Sequence, residues 1–592
     1  MKKPSPFESK DEEFIRQNWK TLPVRRMAST LSVKRTDVEE FVRSLREASA
    51  LEAAGPLTPS RERLWLAAFF LIALLLRLYY LDALGHTPFF EPLSSLLDDG
   101  VYDARGQSIA GGDWIGRGWP WLIYLTPLYP YFLGAVYRLI GHSIGAIHVI
   151  QTFLGAFTPV LVYRLAKEAF AGRRTAILAG LLSASYVPFI YYENLLSGES
   201  LSLFLSLCAL FLLARALNKE EGAKRPVFSA GLLFGIAALL RPHLLIAVVF
   251  PALYLGYIWA FERRRKTLGA AVAILLMTGA AAGIAPITLK NYLLYHDFVP
   301  ISAHGGANLY MSNNPLVEKG MSPIDIFGSG VKEMPDRAVA LAEKAEARTL
   351  KPSEVSAYWL ARTVDYIRAS PAGFCRVLLL KAMFFFNRYE FPDMRDMLFT
   401  AEFLPFLRPA AFQYGVVTAL ALCGVWFCLP GSSAAARLLF SFAFGYAGAV
   451  VVFHVTSRYR VPVIPIFILF AAAALDHVWE AWLKRDRREL SKFSLLAALA
   501  AAFVFYPLPT PNFSRSYNSL GIFFDGKGRW AEAERCYMKA LQLDPRFPGP
   551  YHNLARLYHF RDADDAKAAA FENKFNALQE YQRARGAKET GL

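Results

Sequence analysis

The chain reads as all-α: a polytopic membrane protein of about eleven transmembrane helices, followed by a small helical-repeat domain. Three observations carry that expectation. Of its 592 residues 54% are hydrophobic and 19% charged, a balance too apolar for an ordinary soluble protein. Apolar runs recur that reach the roughly 20 residues needed to cross about 30 Å of hydrocarbon. Backbone in lipid must satisfy its own hydrogen bonds, so these runs are helices. Finally, the basic clusters Lys167 with Arg173 and Arg174, Lys219 with Lys224 and Arg225, Arg263 to Lys266, and Lys484 to Arg488 fall between alternate runs. Cytoplasmic loops carry charge in that way. The formal net charge of +16 is thereby explained by topology, and no nucleic-acid partner is expected.

Taken in order, residues 1–60 form a mostly polar cytoplasmic tail. Within it, VRRMASTLSVKRTDVEEFVRSLREA (24–48) reads as helix, turn, helix, with Ala28, Leu31, Val38 and Val42 as the apolar stripe. It has a helix-turn-helix look, but beside an integral membrane body it is better taken as a docking or folding element than as a DNA reader. Because such a tail precedes the first span, that span is an uncleaved anchor and not a signal peptide.

The membrane body covers 61–507. Keeping the basic clusters inside places spans near 64–84, 144–166, 175–192, 200–217, 226–241, 244–261, 268–288, 411–430, 436–455, 461–480 and 493–507. The short aromatic stretch 126–141, with Pro127 and Pro130, is expected to lie at the outer interface. This threading leaves two outer segments, 85–143 and 289–410, and a loop as long as the second is usually functional. Within it, FCRVLLLKAMFFFNRYEF (374–391) suggests another surface-lying helix. With an odd number of spans the C-terminal 508–592 lies outside as well. There Gly521, Phe524, Ala533, Tyr537, Ala540 and Pro545 have tetratricopeptide spacing, and Asn553-Leu554-Ala555 restarts it. The five cysteines (Cys208, Cys375, Cys423, Cys428, Cys536) show neither metal-ligand spacing nor a disulfide framework.

Chemistry concentrates on the outer side. LLDDGVYDARGQSIAGGDW, directly after the first span, sets Asp98, Asp99 and Asp103 beside the bilayer. YYENLLSGES, at the outer end of the third span, holds Glu193 and Glu199, and SRYRVP holds Arg458 and Arg460. An Arg fork matches phosphate oxygens and keeps its charge at any working pH. Arg241 and His243, at the turn between the fifth and sixth spans, offer a second cationic site. HGGANLYMSNNP pairs the Gly305-Gly306 turn with His304, Asn308, Asn313 and Asn314, a loop able to cover a sugar or headgroup or simply to form an ordered turn. No Rossmann or P-loop signature argues for a nucleotide-sugar substrate.

An acid four residues before Tyr102, the PLYP stretch at 127–130, VPISAHGGANLYMSNNP (299–315) and HVTSRYRVPVIP (454–465) occur in that order. Over roughly 64–480 the chain resembles the polytopic glycosyltransferases that use polyprenyl-phosphate sugars, which include protein O-mannosyltransferases and lipid A aminoarabinose transferases. The resemblance implies a GT-C-like fold with Asp98 as the catalytic base and Asp99 as the alternative. It also implies Glu199 as a second acid, although the family pattern would place an aspartate there. Arg458 and Arg460, then Arg241 and His243, would hold the donor phosphate. Tyr102, Glu193, His304, Asn308, Asn313 and Asn314 would line the substrate. No cofactor is certain, and a divalent metal ion is one option. The expected partners are a polyprenyl-phosphate sugar, a lipid, glycan or protein acceptor, membrane lipids, and a protein bound by the repeat domain. The expected location is a bacterial inner membrane, N-terminus cytoplasmic and C-terminus outside. A flippase for lipid-linked glycans, with ionisable groups inside its spans, or a repeat-based scaffold are the alternatives.

Overall fold

The computed structural model describes residues 11, 13–15, 24–31, 33, 38 and 59–590, apart from 95–96, 117–118, 219–223, 263–265, 319–326, 328–330, 394, 511 and 563. Among the described residues every regular element is a helix. The chain divides into two compact units, Met1–Ala68 and Phe69–Leu592. In the first, the helix Val24–Leu31 buries Met27 and Ala28 with Ile15 and Val38, and Leu31 packs alongside. Most of the second helix expected in this tail, with Val42, falls outside the described residues.

Eight described helices are long and apolar enough to cross a membrane, or up to ten if each of two bent pairs is one span. The protein is thus a polytopic membrane protein. Two of the eleven expected segments fall short. That at 226–241 is a 15-residue helix, Lys224–Ala238, which spans only about 22 Å at 1.5 Å per residue. That at 493–507 is the end of Arg487–Val504, whose first turns are charged. The segment at 175–192 is present but bent by 49° between Arg173–Ala184 and Val187–Glu193. Pro188 cannot donate there, and the Gln413 side chain accepts from Val187 N at 2.8 Å in place of a helical carbonyl. The long loop holds the second bent pair, Pro352–Ala369 with Pro371–Phe386, turned by 108°. The expected surface helix at 374–391 is the second arm of that pair.

Small residues set the closest helix approach. Gly231 and Gly235 on Lys224–Ala238 face Gly279 and Gly283 on Lys266–Tyr295, and a β-carbon at any of the four would overlap backbone of the partner helix. Paired small residues four apart let helices pack backbone to backbone in lipid, where no hydrophobic effect draws them together. The short helix is therefore held by contact geometry, and its end at Ala238 stops the chain early.

At the other end of the sequence Ser514–Gly526 packs on Trp530–Leu543, and Pro548–Leu557 on Asp565–Thr590. Gly521 lies so close to the Tyr537 ring that a side chain would overlap it, and Ala533, Tyr537, Ala540, Leu554 and Ala555 are buried. Of the residues that suggested a repeat, Gly521, Ala533, Tyr537 and Ala540 pack the first helix pair. The module is tied to the membrane body: Phe513 lies tilted against Phe399 at 5.5 Å and Tyr517 meets it edge-on at 4.8 Å, and Lys527 Nζ meets Glu91 at 2.6 Å.

Candidate active site

The acidic loop is a helix, Asp98–Ala110, with Asp98 and Asp99 in its first turn. Carboxylates are favoured there by the unpaired N–H groups and the helix dipole. Tyr102 lies one turn on and on the same face as Asp98. Its hydroxyl is 2.9 Å from Thr126 Oγ1, and burial, then the Asp98 charge, push its pKa up to about 12. The helix Leu128–Ile140 begins within the PLYP stretch and packs against this one. Gly106 and Gly134 allow the approach, since a β-carbon at either would overlap Leu133 or Ile109. At 13 residues it is too short to span alone, needing about 20, as expected of an interfacial helix.

Arg458 is the centre of the site. Its Nη1 donates to Asp98 Oδ2 at 2.8 Å, its Nε pairs with Asp393, and Glu199 Oε1 is 4.0 Å away. Glu199, first residue of the helix Glu199–Leu217, pairs with Arg241 Nη2. Tyr459 carries both guanidiniums on its ring, Arg241 at 4.8 Å and Arg458 at 5.3 Å from the centroid. Such cation–π contacts position a charge without neutralising it. The Asp98 and Asp393 side chains are 20% and 29% exposed, whereas Glu199 is 1% exposed. The arrangement offers an accessible carboxylate next to two fixed cations. Among the described residues no group of three or more His, Cys, Asp or Glu is gathered as a metal site.

Several expected residues are used elsewhere. Asp99 is fully buried and paired with Arg395, whose Nε and Nη2 donate to Oδ2 at 3.0 and 2.6 Å. The same guanidinium also holds the carbonyls of Phe89 and Glu91, so Asp99 anchors a loop and is poorly placed as a base. Arg460 is buried, and the protein itself engages its guanidinium: it donates to the carbonyls of Phe384, Asn387 and Tyr389. Phe384 lies in the last turn of the helix Pro371–Phe386, Asn387 is its C-cap and Tyr389 follows it, so Arg460 fixes the end of that helix to the segment beyond. Glu193 faces Arg77 inside the bundle at 2.6 and 3.1 Å, a buried ion pair. Arg77 is an ionisable group inside a span that the sequence reading did not weigh. Its pairing satisfies it structurally.

Asn313 and Asn314 are also engaged within the protein. Asn313 donates to the carbonyls of Leu309 and Val452 and accepts from Lys381 at 2.8 Å. Asn314 accepts from the backbone of Leu316 and Val317, capping the next turn. His304 is buried beside the Tyr124 ring, and burial lowers its pKa to about 4, which keeps it neutral. His243 packs between Phe453 and Tyr459 at 5.3 and 5.2 Å, supporting the tyrosine that carries the arginines. Asn308 is half-buried on the helix Gly305–Ser312 and has no tie to the cluster.

The sequence reading missed Asp393 and Arg395. Both lie in a strap, Asn387 to Asp396, that crosses from Arg460 to the first loop. The signal was present: EFPDMRD puts charges and a Pro-Asp turn directly after an apolar helix. Strap and site are locked together by Ser457 N donating to Phe391 O at 3.0 Å.

Comparison with solved structures gives likenesses at low identity. The Archaeoglobus fulgidus oligosaccharyltransferase complexed with Zn and sulfate is 16% identical with a TM-score of 0.40, over 81% of this chain and 57% of that one. AglB of the same organism, with an inhibitory peptide and a dolichol-phosphate, is 16% identical with a TM-score of 0.41, over 81% and 60%. ArnT from Cupriavidus metallidurans bound to undecaprenyl phosphate is 15% identical with a TM-score of 0.36, over 88% and 77%. The chain thus spans less than two thirds of the archaeal chains it resembles. A search of the curated proteins found no match. Residues 125–289, which hold Glu199 and Arg241, match the family model for dolichyl-phosphate-mannose-protein mannosyltransferase.

Proposed function

We propose that this protein is an integral-membrane glycosyltransferase that moves a monosaccharide from a polyprenyl-phosphate donor to a hydroxyl of a lipid, glycan or protein acceptor. The observation that carries the reading is Asp98: a partly exposed carboxylate in contact with Arg458, with Arg241 close behind. A sugar on a lipid phosphate already has a good leaving group, so the reaction needs a base for the incoming hydroxyl and cations for the departing phosphate. Asp98 takes the acceptor's proton, the acceptor oxygen bonds to the anomeric carbon, and the carbon–oxygen bond to phosphate breaks with its electron pair leaving on the lipid phosphate. One displacement inverts the anomeric configuration. Arg458 and Arg241 hold the phosphate, and Glu199 and Tyr459 hold the arginines. The family match over 125–289 supports the same class.

In this reading the site faces away from the cytoplasm of a bacterial inner membrane and the N-terminus lies inside. The tetratricopeptide-like module lies outside beside the site, as its ties to Phe399 and Glu91 favour. The deciding experiment is transfer from radiolabelled undecaprenyl-phosphate sugars by the purified protein in nanodiscs. Labelled product with stoichiometric release of undecaprenyl phosphate is the expected result. Translocation of an unchanged lipid-linked glycan, with no transfer from any donor tried, would replace this reading with that of a flippase.

A further inference from the structure

Arg458 is a shared cation, and the sharing has a consequence for the proposed reaction. Three carboxylates, Asp98, Asp393 and Glu199, face two guanidiniums, Arg458 and Arg241. Formal charges therefore leave the cluster one unit negative. Tyr102 and His454 are titratable neighbours, and burial raises the first and lowers the second, so both are neutral. A sugar phosphodiester brings a further negative charge. It cannot simply add to a cluster that is already negative, because a like charge at contact distance opposes it. One carboxylate has to give up its cation.

Glu199 is buried and held by Arg241, which leaves the two exposed partners. Asp393 sits on Nε and belongs to a strap that is tied at both ends, through Arg460 at one side and Arg395 at the other. Asp98 holds Nη1 by a single hydrogen bond at the start of a helix. The geometry points to an ion-pair exchange that rests on the glycosyltransferase reading: donor phosphate takes Nη1 of Arg458 from Asp98, while Asp393 keeps Nε and fixes the guanidinium. While Asp98 Oδ2 accepts from Nη1 of Arg458, that oxygen is engaged and turned from the acceptor. Released, it is free to meet the acceptor hydroxyl within hydrogen-bond reach. The base is thus switched on by the donor, and an acceptor meets an active carboxylate only when a sugar is in place. Asp393 is a positioning residue in this scheme, acting through Arg458.

The exchange makes an unusual prediction: removing an acid should strengthen binding of an acidic ligand. Undecaprenyl phosphate is the probe, titrated against the full-length protein in nanodiscs. Asp98→Asn and Asp393→Asn should each bind it about three- to tenfold more tightly, the scale of one partly exposed ion pair. Asp103→Asn makes the same change of charge on the same helix, but its carboxylate is engaged by Tyr137 and His142, and its affinity should stay within about twofold of wild type. Asp393→Asn should also lower the donor KM while lowering kcat, because the guanidinium loses its anchor, and Asp393→Glu should restore both. Melting temperatures confirm that each variant is folded. If wild type binds the probe, Arg458→Ala or Arg458→Lys weakens it, and Asp98→Asn is unchanged or weaker, the exchange is wrong and the glycosyltransferase reading stands. If wild type neither binds the probe nor transfers sugar, that reading falls and the exchange falls with it.

Discussion

Two adjacent aspartates, identical in charge and one residue apart, have different jobs because a helix turns about 100° per residue. Asp98 faces Arg458 and stays accessible, while Asp99 is enclosed with Arg395. Asp98→Asn should therefore lower turnover by about 10²–10⁴-fold, the usual contribution of a general base, with the protein folded. Asp99→Asn should lower the melting temperature, since it strips the partner from a buried guanidinium. An Asp99→Asn protein of wild-type stability but no activity would move the base by one residue. The arginines divide similarly. Arg458→Ala should raise the donor KM strongly in protein that is still folded, with lysine rescuing partly because it lacks the planar fork. Arg460→Ala strips the guanidinium from the carbonyls of Phe384, Asn387 and Tyr389 and should cost roughly 3 kcal/mol of stability, read as loss of folded protein in detergent. Normal stability in Arg460→Ala with a selective donor defect would return that residue to the phosphate site.

Among the elements, the strap from Asn387 to Asp396 matters most, because it joins both arginines of SRYR to the acidic helix. Its last residue caps Met397–Phe403: Asp396 Oδ1 accepts from Leu398 N and Phe399 N at 2.8 and 3.0 Å. Burial nevertheless raises its pKa to about 6. A carboxyl whose folded pKa is raised binds its proton more tightly when folded. Its contribution to stability is full below the usual carboxylate range and is lost as pH rises through about 6. Melting curves should show wild type losing stability between about pH 4 and pH 6 relative to Asp396→Asn, which keeps a capping oxygen without the charge. Parallel curves for the two proteins across that window would show that Asp396 is solvated and that its burial has been misjudged.

At the scale of the molecule, the C-terminal module and the acidic helix should lie on one side of the membrane. The Lys527–Glu91 pair and the Phe399 contacts support it. With all five native cysteines replaced by serine, Cys375 and the C-terminal module's Cys536 among them, single cysteines at Ile115 and Ala570 should react with an impermeant maleimide in intact cells or spheroplasts. One at Arg174, in a basic loop, should react only after lysis. Opposite accessibility of Ile115 and Ala570 would sink the arrangement, most directly through the count of spans near 224–261.

The sequence by itself determined the helical membrane class, the position of most spans and the presence of acids and arginines at segment ends. These follow from local properties: hydropathy over about 20 residues, charge in short loops, and residue type at a boundary. It also marked the C-terminal hairpin, since Gly521, Ala533 and Tyr537 pack within one short unit. Tertiary structure decided which charges meet. Arg458 and Asp98 are 360 residues apart and Arg395 and Asp99 are 296 apart, and no local pattern encodes such pairings. The same holds for Arg460 and Glu193, whose charge suggested substrate and whose surroundings are carbonyls and a buried guanidinium. A charged side chain announces only that it needs a partner in a low-dielectric interior. Whether protein or ligand supplies that partner is settled by where the fold brings it.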